Sequence, residues 1–379
     1  MSICCTNASV MKVAFVLTAH AADDERVWFH QMPSLQQAGC QVTVIAPEKN
    51  ESSDSHKVLY EVDKYKRMEL MRHLATLLED VQPDVVIGDT PMALRGALLY
   101  RRKSKRQCRI LYDVTEWYPS KKNLRWLSGI EKVAKWSALS LFNFWVNCHT
   151  DGFVFGEEDK ARPFRRLFPR RPFVQTSYYP DLKYVKMGAC NKLTEKLRLF
   201  YSGNLTEEKG FPNVLKAAVW IARFNPDIPV ELNVLSSQEL SQQPQLPSNL
   251  NFRLSPYLPF EDFCRQAAEN DIFFDLRVRD AENHRCLPIK LFYYMAMGRP
   301  VIYSDLKAIS KGCPEIEQFG HLVNPFDTEA IVDIVNAYIK DKDLYQKHCD
   351  VARQLAERKY NWKAIESDFV RFILQDEQH

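Results

Sequence analysis

Two lysines stand where an anion would be held. The stretch 199–210 reads as an apolar strand ending at Ser202, followed by Gly203 and Asn204, with Lys209 and Gly210 opening the next helical segment. Gly203 permits a tight turn, and backbone N–H groups at a helix start beside a lysine attract an anion. Taken alone, such a turn is as often structural as functional. The second lysine lies in 287–305, which reads as a helix over 288–297 followed by a strand. Pro288 suits a first turn, where its missing N–H would be unpaired anyway, and Gly298 suits a left-handed cap. Lys290 sits in that first turn, where a cation opposes the helix dipole. A diphosphate bound beside it explains the placement; plain solvent exposure is the alternative. Near the N-terminus, the strand-to-helix turn 18–26 has no glycine. A dinucleotide fingerprint needs glycines there so that the backbone can approach the pyrophosphate, which disfavours an NAD-binding first domain. Asp23 or Asp24 caps the following helix, or Asp24 and Arg26 face a cleft and touch substrate.

Short β-branched runs at 12–18, 41–46, 84–88, 109–112 and 152–155 alternate with helical-period segments at 25–38, 66–79, 91–103 and 128–147. The alternation predicts a parallel sheet with helices on both faces. The pattern restarts with strands at 197–202, 230–235, 250–254, 271–276 and 300–304, and helices at 212–224, 260–269, 288–297, 328–340 and 343–360. The expected fold class is α/β, with two Rossmann-like domains over 11–180 and 181–361. An aperiodic stretch, 176–196, links them, and the tail 362–374 shows an apolar face at helical spacing. Open α/β sheets take ligand at the carboxyl ends of their strands, so the cleft between the domains is the expected site.

The 379 residues include only 12 glycines, which excludes collagen-like architectures, and the 46% hydrophobic and 26% charged content is that of a folded protein. Ten cysteines form no Cys-x-x-Cys pair, so neither a zinc nor a disulfide framework is expected. The first ten residues lack the basic start and apolar core of a signal peptide. The longest apolar-rich run, 136–146, is much shorter than the roughly 20 residues a membrane-spanning helix needs. These features and the scattered thiols point to a cytoplasmic protein. Net charge is +3, yet 101–172 holds 17 Lys/Arg against 7 Asp/Glu, a net of +10 that leaves −7 for the rest. Within 101–145, Lys121, Lys122, Arg125, Lys132 and Lys135 interleave with Trp117, Trp126, Trp136 and Trp145. No nucleic-acid recognition motif accompanies them, so no nucleic-acid partner is expected. The region is a solvated charged face, or one that meets an anionic membrane surface, where aromatic rings settle and each basic residue contributes about 1 kcal/mol.

Four ordered segments together resemble the GT-B retaining glycosyltransferases of family 4, in particular the bacterial members that build capsule, exopolysaccharide or lipopolysaccharide. They are Asp24-Glu-Arg26-Val with the following helix and strand, Leu111-Tyr-Asp-Val-Thr-Glu-Trp-Tyr-Pro119, the loop from Gly203 to Lys209-Gly210, and Pro288-x-Lys290-Leu-Phe through Gly298. The tail at Trp362 resembles that family's helix crossing back to the first domain, which adds 362–379 to it. The resemblance implies that the second domain binds a nucleotide-sugar donor and the first an acceptor, a lipid-linked saccharide in surface-polysaccharide synthesis. Lys209 and Lys290 would hold the donor diphosphate and act catalytically. Ser202, Gly203 and Asn204 would line it, with Leu291 and Tyr293 on the donor helix. Asp24, Arg26, Thr115 and Glu116 would meet the acceptor. It also implies transfer with retention, no metal and no other cofactor, and an enzyme peripheral on the inner face of the membrane.

The chain departs from that pattern at several positions. Tyr293 stands where the family commonly places a glutamate that holds the donor ribose, and a tyrosine cannot chelate two hydroxyls as a carboxylate does. A second family glutamate aligns with Arg285, with Glu282 nearby. Asn204 replaces an arginine of the phosphate loop, and Thr115 replaces a histidine at a strand end. An inactive GT-B homologue that binds glycan or a partner enzyme is therefore one alternative. A sugar-nucleotide epimerase, which shares the architecture, is another; it would need an acid/base carboxylate pair, which the sequence does not locate.

Overall fold

The computed structural model describes residues 10–48, 54–61, 64–116, 118–119, 124, 126–189, 191–240 and 244–375. Trp117, Lys121, Lys122 and Arg125 lie outside the described residues. The chain divides into two compact units, one running to Ser177 and including everything from Ile365 onward, the other Tyr178–Ala364.

The first unit contains β1 (Lys12–Val16), β2 (Gln41–Pro47), β3 (Lys57–Tyr60), β4 (Val85–Gly88), β5 (Arg109–Val114), β6 (Gly152–Phe155) and β7 (Phe173–Gln175). They form one sheet in the order β3-β2-β1-β4-β5-β6-β7, with every pairing parallel. The second contains β8 (Leu197–Ser202), β9 (Val230–Leu235), β10 (Leu250–Ser255), β11 (Ile272–Asp275), β12 (Val301–Ser304) and β13 (Gly320–Val323), in the order β10-β9-β8-β11-β12-β13 and again parallel throughout. Both orders are doubly wound: the chain steps outward to one edge, returns to the middle and steps to the other. The reversal falls between β1 and β4 in one unit and between β8 and β11 in the other. At such a point the following helices leave to opposite faces and open a crevice at the strands' carboxyl ends.

Helices α1 (Met32–Gln37), α2 (Arg67–Val81), α3 (Pro91–Ser104), α4 (Gly129–Cys148) and α5 (Glu158–Leu167) serve the first sheet. Helices α6 (Phe211–Phe224), α7 (Phe260–Ala267), α8 (Lys290–Ala296), α9 (Lys307–Gly312), α10 (Thr328–Lys340) and α11 (Lys342–Arg358) serve the second, and α12 (Glu366–Leu374) ends the chain. Five short elements escaped the periodicity, the six-residue α9 among them. Edge strands β3, β7 and β13 have three or four residues each and are too short to show alternation. Helix α5, EDKARPFRRL, is mostly charged and carries Pro163 inside it. The helix expected over 25–38 instead begins as a wide turn at Val27–Gln31, where the Met32 N–H bonds back five residues to Val27. Pro33 explains this, since it has no N–H to donate to the carbonyl four residues back and its ring crowds that carbonyl.

Helix α12 packs on the first unit. Ser34 Oγ lies 2.5 Å from a Glu366 carboxylate oxygen, and Arg109 donates to the carbonyls of Phe372 and Ile373 at 2.6 and 3.1 Å. From Tyr178 on, the aperiodic stretch belongs to the second unit. Pro180 O accepts the Trp362 N–H at 2.9 Å, Val185 O accepts from Arg353 at 2.9 Å, and the Tyr179 ring meets Phe292 and Tyr360 edge-on. No helix among the described residues is long and apolar enough to cross a membrane.

Under α10 and α11, His348 is buried and shares a hydrogen bond with the Tyr338 hydroxyl at 2.8 Å. Burial, with His321 and Lys347 nearby, pushes its pKa down to about 4. The folded state therefore binds fewer protons than the unfolded state between pH 6.5 and 4. The stability this neutral imidazole contributes is complete above pH 6.5 and is lost as pH falls toward 4, by up to about 3 kcal/mol. Urea midpoints at pH 7.5 and 4.5 should differ more for the native chain than for His348→Gln.

Candidate functional site

The crevice of the second unit lies where β8 and β11 end. After Ser202 the chain turns through 203–210 into α6. Tyr201 holds this loop at both ends: its hydroxyl donates to Asn204 O at 2.8 Å and lies 3.2 Å from Lys209 O. Gly210 adopts φ +76° and packs against the strand end so closely that a Cβ there would sit 1.8 Å from Leu276 O. The loop and the segment after β11 are tied again by the Val278 N–H, which donates to Glu208 O at 3.3 Å, and by Asn283, whose side-chain amide donates to the same carbonyl at 3.4 Å.

Lys290 enters from the first residue of α8, and Pro288 lies just before the helix rather than in it. Its ammonium donates to Ser202 O, lies 3.9 Å from Asp275 Oδ2, and would be 3.5 Å from a Cβ on Gly203. Asp275 is already engaged by a buried Arg277, whose Nε and second terminal nitrogen donate to the two carboxylate oxygens at 2.8 and 2.9 Å. That bidentate pair consumes most of the carboxylate, so Lys290 is left with charge to offer. Burial pushes the Lys290 pKa down to about 8, against the pull of Asp275; Arg277 and Lys209 lower it further. Lys209 is paired with Glu208 at 2.9 Å and stays partly exposed. Cations that lower the proton affinity of Lys290 are what an anion bound beside it would offset.

Ser202, Gly203, Lys209 and Lys290 thus come together at one strand end. Asn204 flanks them, its side-chain oxygen 3.4 Å from the Tyr257 hydroxyl. Leu291 and Tyr293 point elsewhere: both are buried in the core, the Tyr293 ring edge-on to Phe260 and Phe263. Glu282 and Arg285 lie on an exposed turn after β11, anchored by the Asp280 carboxylate, which accepts the N–H groups of Glu282 and Asn283. Sequence reasoning missed Asp275, Arg277 and Tyr201. Their one signal was position, since the first two stand at the carboxyl end of the strand across the reversal from β8.

The first unit has a corresponding crevice at the ends of β1, β4 and β5. Asp89 accepts backbone N–H groups from Thr18 at 2.9 Å and Ala19 at 3.0 Å, and binds His20 Nδ1 at 3.0 Å. Burial opposes the protonated His20 imidazole, but bonding and charge from Asp89 win and raise its pKa. Arg26 pairs with buried Asp113 at 2.5 Å and lies 3.7 Å from Asp24. Burial raises the Asp113 pKa, while Arg26 opposes that. Asp24 also accepts the Val27 N–H at 3.3 Å, so it caps the helical turn as well as sitting in this cluster. Glu25 beside it has its pKa pushed up to about 7, chiefly by burial. Thr115 and Glu116 follow β5, and Thr115 O accepts from Lys160 at 2.5 Å. His20, Glu25, Asp89 and Asp113 were not singled out from the sequence.

No protein-family model matches the chain, and no curated protein sequence does. Solved structures do match its fold over nearly its whole length. Sucrose-phosphate synthase from Thermosynechococcus elongatus aligns with TM-score 0.69 at 12% identity, covering 96% of this chain and 98% of that one. Anabaena HepE in complex with UDP-glucose aligns with TM-score 0.67 at 11% identity, covering 96% and 100%. WaaG, a glycosyltransferase involved in lipopolysaccharide biosynthesis, aligns with TM-score 0.63 at 12% identity, covering 95% and 99%. The two doubly wound units are those of the GT-B glycosyltransferase fold.

Proposed function

We propose that the protein is a glycosyltransferase that moves a sugar, with retention, from a nucleotide-sugar donor to a lipid-linked glycan at the cytoplasmic face of a membrane, in surface-polysaccharide synthesis. The observation that carries this reading is the convergence of Lys290, Lys209 and the 203–210 loop at the β8/β11 reversal, with Asp275 already neutralised by Arg277. HepE, whose fold this chain shares, is described in complexes with UDP-glucose and with UDP. In the proposed reaction the diphosphate leaves as an anion, and the two lysines stabilise its developing charge, so no metal is invoked. The acceptor hydroxyl attacks on the face the diphosphate leaves, and the departing phosphate takes its proton. No protein nucleophile is needed. The test is release of nucleoside diphosphate when the protein is mixed with membranes and sugar nucleotides; a folded protein that turns over no donor of a full panel would refute the reading.

Donor binding carries a pH signature. The cationic form of Lys290 binds the diphosphate, and its pKa in the free protein is about 8. Nucleotide phosphates are fully ionised by pH 7.5, so affinity should fall as pH rises through 8, approaching ten-fold per unit above it. Calorimetric Kd values at pH 7 and 9 measure this directly, and equal affinities would contradict it.

One observation favours a second reading. The first unit gathers Asp24, Glu25, Asp89 and Asp113 at its strand ends, and the Glu25 pKa of about 7 suits it to gain or lose a proton. A sugar-nucleotide epimerase would use such groups. It predicts an isomerised sugar nucleotide without any acceptor, whereas transfer predicts free nucleoside diphosphate that depends on one.

A further inference from the structure

Arg277 follows β11 and is 8% exposed. All three of its guanidinium nitrogens are committed. Nε donates to Asp275 Oδ1 at 2.8 Å, Nη2 to Asp275 Oδ2 at 2.9 Å and Nη1 to Cys286 Sγ at 3.5 Å. The Arg277 carbonyl accepts from the buried Ser304 hydroxyl at 2.7 Å, which fixes the backbone behind the side chain. No nitrogen is left to meet a ligand, so any role in the donor crevice must pass through a neighbour. Among the described residues, the carboxylate it holds has one other cation nearby, the Lys290 ammonium at 3.9 Å from Asp275 Oδ2. The tyrosines 201, 294 and 303 also sit in the field of Asp275, but burial, with that charge, raises their pKa values. They stay neutral and cannot balance a carboxylate.

We propose that Arg277 is a positioning residue for the donor: by occupying both oxygens of Asp275 it prevents that carboxylate from capturing Lys290, and so keeps the ammonium for the diphosphate. This role rests on the donor site proposed above and deepens it. A buried carboxylate deprived of Arg277 would take the nearest cation, because an unpaired buried charge is costly. Lys290 would close the gap to Asp275, and a diphosphate would have to break that ion pair or bind a crevice one positive charge poorer. The groups that act on Lys290 are burial, Asp275, Arg277, Lys209 and Cys286, in that order. Asp275 favours its protonated form and Arg277 disfavours it. Removing one member of the pair therefore moves the pH at which Lys290 loses its proton in one direction, and removing the other moves it in the opposite direction.

UDP, GDP, dTDP and ADP are titrated calorimetrically into the full chain, and the tightest binder is followed from pH 6.5 to 9.5 in the native protein and three variants. Arg277→Gln should bind about ten-fold more weakly or worse at pH 7, with its affinity falling off above the native value near pH 8. Asp275→Asn should bind within about three-fold of the native chain at pH 6.5 and lose affinity at a lower pH than the native chain does. Asp275→Asn/Arg277→Gln leaves two neutral amides and frees Lys290, so it should return to within about three-fold of native affinity at pH 7. A purely structural arginine would shift neither pH profile. An arginine that touched the phosphates itself would not be rescued by Asp275→Asn. The proposal is overturned by native affinity in Arg277→Gln, by a double variant no tighter than Arg277→Gln, or by pH profiles that coincide. Should Arg277→Gln fail to keep the native circular dichroism, the Asp275→Asn profile and the affinity of the double variant decide. A native chain that binds none of the four nucleotides would remove the donor site and this role together. A native chain that binds, beside a double variant that stays weak, would remove only the role of Arg277.

Discussion

Lys290→Ala should lower kcat/KM for the sugar nucleotide by about 10²- to 10³-fold, a loss of roughly 3–4 kcal/mol of transition-state stabilisation. The argument rests on what surrounds the ammonium. Its neighbour Asp275 keeps both oxygens bonded to Arg277 when Lys290 is gone, so no buried charge is stranded. Burial already depresses the Lys290 pKa to about 8, which means the folded chain holds this cation at some expense below that pH. Removing it should leave the unfolding midpoint nearly unchanged while donor binding and turnover fall together. Lys209→Ala should do the same to a smaller degree, because that side chain is more exposed and already paired with Glu208. Steady-state kinetics beside a urea titration separate the outcomes. Unchanged kinetics in Lys290→Ala would mean that this ammonium does not stabilise the departing diphosphate.

Gly210→Ala should destabilise the second unit by about 4 kcal/mol or more, among the largest effects a single methyl can have. The added Cβ would lie 1.8 Å from Leu276 O, 2.1 Å from Leu276 C and 2.7 Å from Arg277 N. All three are backbone atoms at the end of β11, so no side chain can swing aside. The residue must also hold φ +76°, which L-residues adopt at a cost of about 1–2 kcal/mol. Relief would require the loop to lift off the strand, carrying Lys209 away from Lys290. A midpoint drop of roughly 8–16 °C is expected for a unit of this size. Gly39→Ala is the control: φ there is +86° but nothing lies within 4 Å of the added methyl. It should show the conformational cost alone, about 1–2 kcal/mol. Equal losses in the two variants would mean that close approach to Leu276 is not what demands glycine at 210.

Much of this architecture was legible because buried parallel strands are short continuous apolar runs. Strands at 152–155, 197–202 and 230–235 have the bounds expected from such runs. The failures have physical causes. Three-residue β7 at the sheet edge carries no period, and Pro33 converts a regular helix start into a wide turn through a missing N–H that composition alone does not advertise. In the donor crevice, glycine and lysine spacing brought Ser202, Gly203, Lys209 and Lys290 into view. What sets the behaviour of Lys290 is the Asp275–Arg277 pair, 15 and 13 positions away along the chain and adjacent only because β11 lies beside β8. Leu291 and Tyr293 show the converse. They neighbour Lys290 in sequence, yet the helix turns them into the core. Likewise His20–Asp89 and Arg26–Asp113 are pairs that only the order β1-β4-β5 brings together. The scarce glycines are still informative: Gly203, Gly210 and Gly298 all fall in the second unit, the last in the expected left-handed cap at φ +64°.

The central claim is that the second unit holds a nucleotide diphosphate through Lys290. Thermal unfolding of the native chain and of Lys290→Ala, each with UDP-, GDP-, dTDP- and ADP-sugars at millimolar concentration, tests it most directly. Binding of one nucleotide class at 100 times its Kd should stabilise the native chain by about 2.7 kcal/mol, and Lys290→Ala should lose that shift. A native chain whose midpoint no sugar nucleotide moves, or a variant stabilised as much as the native chain, would contradict the account.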